Sequence, residues 1–156
     1  MMSNPAVLLL IGIVVLGITA VILWPENGLL ARWQQAMSRW DATAAPLKGM
    51  PVVVIHQDQS YLCRWLGLNR LAAIEPKPGV PPSAGYLAQL TTQLSANKPK
   101  MILRNAYNDP KAAEWLSDRI DVPVVLLPFS VGGTPEAKDL FGLFDDTLRR
   151  LTEAAK

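Results

Sequence analysis

Four short apolar runs constrain this chain more than any other feature. They are Val52–His56 (VVVIH), Leu71–Ile74, Met101–Leu103 and Val122–Leu127. Each is too short for a buried helix and is rich in β-branched or aliphatic side chains, the pattern of strands covered on both faces. Between them lie stretches with helical spacing. Asp58–Leu66 is closed by Gly67. Ser83 can cap a helix with Leu87, Leu90 and Leu94 on one stripe. Asp109–Pro110 opens a helix with Ala112, Leu116 and Ile120 on one face. Thr134–Pro135 starts a last helix with Ala137, Phe141, Phe144, Leu148 and Leu151 facing inward. Strand and helix in alternation predict a small α/β domain with a four-stranded, mostly parallel sheet flanked by helices.

Upstream, Gly28–Ala45 reads as a long helix, with Leu29, Leu30, Trp33, Met37 and Trp40 at three- and four-residue steps and Pro46 and Gly49 at its end. Before it, Ala6–Trp24 is apolar except for Thr19. As a helix this segment would reach about 28 Å, close to the ~30 Å hydrocarbon core of a bilayer. It lacks the basic n-region and small-residue cleavage site of a secretory leader. The expected organisation is therefore a hydrophobic anchor or signal-like segment over 1–26, a linking helix over 27–50 and an α/β domain over 51–156. Residues 6–24 are the expected membrane contact. Arg32, Arg39 and Lys48 follow the segment, a weak bias toward a cytoplasmic C-terminal part.

Composition excludes several functions. Lys and Arg total 15 against 13 Asp and Glu, a net charge of +2, and no basic stripe points to nucleic acid. A single cysteine, Cys63, excludes an internal disulfide, and its neighbours Leu62, Trp65 and Leu66 mark it as a small buried hydrophobe. A single histidine, His56, excludes a self-contained site of several imidazoles. No serine or cysteine is placed as a nucleophile beside it, so no enzyme is expected.

In parallel α/β sheets, ligands sit beyond the carboxyl ends of the strands. Here those ends carry His56, Glu75, Arg104–Asn105 and Pro128–Ser130. His56 is either a metal ligand or a satisfied loop histidine. Glu75 and Asp58 are the nearby carboxylates. Glu75 can join His56 on a metal, or be held by Lys77 or a backbone N–H. Asp58 can cap the next helix or orient the imidazole. Arg104, Asn105 and Tyr107 either line the cleft or, for Arg104, pair with Asp109. Val131–Thr134 precedes a helix but lacks the lysine and spacing of a phosphate loop. Trp33, Trp40, Trp65 and Trp115 sit at helical positions and read as packing residues.

These strand ends also carry a family resemblance. The stretches VVVIHQDQSYLCRWLGL, IEPKPGVPPS, ILRNAYNDPKAAEWL and VVLLPFSVGGTPEAKDLFGLFDDTLRRL, preceded by ARWQQAMSRWDATAAPLKGMP, resemble the C-terminal lobe of zinc/manganese solute-binding proteins of ABC transporters. The resemblance covers about Leu30 to Lys156. It implies a two-lobed binding protein that holds Zn2+ (Mn2+ is the alternative) between its lobes and delivers it to an ABC permease. It implies a location on the periplasmic side of the inner membrane, anchored or secreted. His56 matches the lobe's histidine ligand. The family's first lobe has no counterpart here, and Leu126–Phe129 lacks the aspartate that many members place after the last strand. The metal site is therefore expected to be incomplete. The expected function is metal binding for ABC import by a truncated single lobe. The alternative is a membrane-anchored interaction module or a non-functional fragment without metal affinity of its own.

Overall fold

The computed structural model describes residues 25–77 and 79–156. The apolar run 6–24, expected to contact a membrane, lies outside them. Among the described residues, no helix is long and apolar enough to cross a membrane. Compact packing divides the chain after Arg39.

Helix α1 spans Pro25–Ala44. Of its expected apolar positions, Leu29, Leu30 and Met37 are exposed and Trp40 is buried. Beyond it come β1 (Pro51–Val54), a 3₁₀ turn at Gln57–Gln59, α2 (Ser60–Leu66), β2 (Asn69–Ala73) and α3 (Ala84–Ala96). These are followed by β3 (Met101–Asn105), α4 (Lys111–Ile120), β4 (Val124–Leu127) and α5 (Leu140–Ala154).

The strands form one sheet in the order β2-β1-β3-β4, and every pairing is parallel. The expected α/β sheet is therefore present. Its order carries a physical consequence. The chain winds from β1 outward to β2, then crosses back over β1 to β3 and on to β4. The direction of winding reverses between β1 and β3, and a crevice opens beyond the carboxyl ends of strands at such a reversal.

Alternation along the strands divides the core. Val53, Ile55 and Ile102 join Leu90 and Leu94 of α3 and Ala113, Leu116 and Ile120 of α4 in one buried cluster. The intervening Val52, Val54 and Leu103 are equally buried and point to the opposite face. There Trp65 of α2 meets Phe144 of α5 edge-on with ring centroids 5.6 Å apart. Trp40 stacks on Phe144 at 4.6 Å and donates from Nε1 to Asp145 at 2.6 Å. Both faces are thus covered over the central strands β1 and β3, which is why these read as continuous apolar runs, whereas β2 at the sheet edge is exposed or half-buried along its length and departs from that expectation.

Local signals worked where one side chain decides the outcome. Ser83 accepts from the Tyr86 N–H and caps α3. Gly67 ends α2 at φ +65°, a conformation that costs glycine nothing. Two expectations need correction. On α4 the fully buried position is Ala113, with Ala112 only partly covered. The last helix starts at Leu140, not at Thr134–Pro135. Asp139 is its cap, accepting from the Gly142 N–H at 2.7 Å. Thr134 is instead drawn inward, donating from Oγ1 to the buried Asp146 at 2.7 Å. A buried carboxylate needs that donor more than a helix start needs a second cap.

Candidate metal site at the strand ends

His56 leaves β1 in extended conformation just before the Gln57–Gln59 turn. Glu75 follows β2, and its backbone N–H donates to the Ile55 carbonyl at 2.9 Å, extending the β1–β2 ladder. Parallel pairing therefore carries the two residues to the same end of adjacent strands. His56 Nε2 lies 3.5 Å from Glu75 Oε2, with the side chains 18% and 16% exposed. The imidazole Nδ1 is buried with no hydrogen-bond partner. Among the described residues Lys77 does not pair with Glu75, whose carboxylate faces His56 instead.

Asp58 faces elsewhere. Its Oδ2 accepts from Asn105 Nδ2 at 2.9 Å and from the Tyr107 hydroxyl. Asn105 Oδ1 in turn accepts from Gln59 Nε2 at 2.9 Å, and the Asn105 N–H donates to Asn108 Oδ1 at 2.9 Å. This network bridges the loops after β1 and β3 across the reversal point of the sheet. Desolvation raises the Tyr107 phenol above its ordinary value, and the hydrogen bond to Asp58 raises it further, so Tyr107 acts as a donor here. Asp58 neither caps α2 with its side chain nor reaches the His56 ring.

The crevice beyond β1, β3 and β4 holds a cavity of about 170 Å³ lined by Asp58, Gln59, Leu62, Asn105, Phe129 and Phe144, among others. Asn105 lines it, as expected for a cleft residue. Tyr107 stands at its edge, packed edge-on against Phe129 at 4.9 Å. Arg104 does not pair with Asp109. Its Nη1 donates to the carbonyls of Asn105 and Asn108 at 3.3 and 3.1 Å, holding the β3 loop. Asp109 instead accepts from the Lys111 N–H at 3.0 Å.

The Val131–Thr134 loop is no anion cradle. Its Gly132 N–H is spent on the Ala137 carbonyl at 2.7 Å and its Gly133 N–H on Ser130 at 2.9 Å. Cys63 is buried, and burial pushes its thiol up, away from the thiolate that a metal requires. Among the described residues, no group of three or more His, Cys, Asp and Glu side chains could hold a metal ion. The His56–Glu75 pair is thus two donors without a third.

Sequence reasoning missed Gln59 and Asn108, both buried. Nothing local marks them, since their role exists only once β1 and β3 are neighbours. It also missed the cluster in which Arg149 Nη2 and Arg150 Nε meet Asp146 at 2.5 and 2.7 Å. The i,i+3 and i,i+4 spacing of those three residues was the available signal.

The comparisons decide the family. The model of the zinc-uptake complex component A, periplasmic, family (ZnuA) matches residues 27–154. The chain belongs to this family. Among solved structures it is similar to a ZnuA crystal structure (22% identity, TM-score 0.65), covering 83% of this chain and 46% of that one. It is similar to the solute-binding protein FpvC of Pseudomonas aeruginosa in complex with Ni2+ (23%, 0.63), covering 83% and 50%. A third is a mutant of the laminin-binding adhesin of Streptococcus agalactiae (20%, 0.61), covering 79% and 47%. The chain therefore spans about half the length of these structures, the extent of a single lobe. No curated protein matches it. The family is that of a periplasmic component of a zinc-uptake complex.

Proposed function

We propose that this chain is a metal-binding lobe for ABC-type import, with a divalent cation, zinc or manganese, as its cargo and His56 and Glu75 as its ligands. One observation carries the reading: Nε2 of His56 and Oε2 of Glu75 stand 3.5 Å apart at the carboxyl ends of adjacent parallel strands. Two ligands of a tetrahedral metal, at bond lengths of about 2.1 Å, are separated by about 3.4 Å. The pair is thus spaced as two corners of a coordination tetrahedron. The donor set, one imidazole and one carboxylate, suits Zn2+ and also Mn2+.

Family membership supports binding and delivery over catalysis, with an ABC permease as the partner and the periplasmic side of the inner membrane as the place of action. Two donors are half of a usual zinc site. A single chain should therefore hold zinc weakly, with a Kd on the order of 1 μM or poorer. The test is a calorimetric zinc titration of the untagged full chain, kept in mild detergent for its apolar 6–24 run, beside His56→Ala. Saturable heat that disappears in the variant is expected. Equal binding by both proteins, or nanomolar affinity at a single chain, would overturn the reading.

A further inference from the structure

We draw no further inference here: the strongest candidate, the apolar cavity of about 170 Å³ between α2, α5 and the loop after β4, belongs to the crevice already described, and Gln59 Oε1, the unpartnered acceptor among its lining residues, is itself buried with no surface open to a ligand, so nothing in the structure shows what would fill it.

Discussion

Asn105 Nδ2 donates to Asp58 Oδ2 across 2.9 Å, tying the loop after β3 to the turn after β1. The same side chain accepts from Gln59. One amide therefore closes the reversal point of the sheet, beside the turn that presents His56. Asn105→Ala deletes these bonds and a third from Nδ2 to the Tyr107 hydroxyl at 3.2 Å, and it leaves the buried Gln59 amide without its acceptor. We expect a loss of about 2 kcal/mol in stability, read by urea denaturation, and weaker zinc binding because the turn after His56 keeps only the Tyr107–Asp58 bond to the β3 loop. A variant as stable as the parent would show that the network is ornamental to the fold.

Glu75→Gln tests the carboxylate directly. The backbone bond from residue 75 to Ile55 remains, so the fold should be kept. Loss of the anionic donor should weaken zinc by tenfold or more, about 1.4 kcal/mol or above. Unchanged affinity in a competition assay would remove Glu75 from the site and leave His56 alone.

Asp146 sets an acid limit on stability. Burial by itself would raise its carboxyl, but hydrogen bonds from Thr134, Arg150 and Arg149 outweigh burial and hold it below the ordinary carboxylate value. A group depressed in the folded state stabilises fully above its unfolded value, near pH 3.9, and loses that contribution as pH falls through the lower folded value. Asp146→Asn should cost about 3 kcal/mol at neutral pH. The gap between parent and variant should narrow below about pH 4. Thermal melts from pH 7 to pH 3 measure it, and a gap independent of pH would refute the assignment.

Trp40 separates stacking from hydrogen bonding. Trp40→Phe keeps a ring against Phe144 and removes the donor to Asp145, for an expected cost of about 1 kcal/mol. Trp40→Ala removes the ring as well and should cost about 3–5 kcal/mol. Equal costs for the two variants would mean that the ring contributes little.

Much of the architecture was legible because it rests on local chemistry. The four apolar runs, the Ser83 cap and the Gly67 stop each depend on a few neighbouring residues. The start of α5 is not local in this way, because Thr134 looks like a cap in sequence while its partner Asp146 lies twelve positions on. An ion pair between Arg104 and a carboxylate such as Asp109 is one of two readings the charges allow, but the loop after β3 folds its own carbonyls onto the guanidinium.

The layered α/β class and the strand-end positions of His56 and Glu75 follow from local patterning, since short β-branched and aliphatic runs alternating with helical spacing are written residue by residue. Which strand ends are neighbours follows only from long-range packing. The order β2-β1-β3-β4 sets His56 against Glu75 and Asp58 against Asn105. Strand order arises from crossover connections and long-range packing, and these leave no periodic mark in the chain.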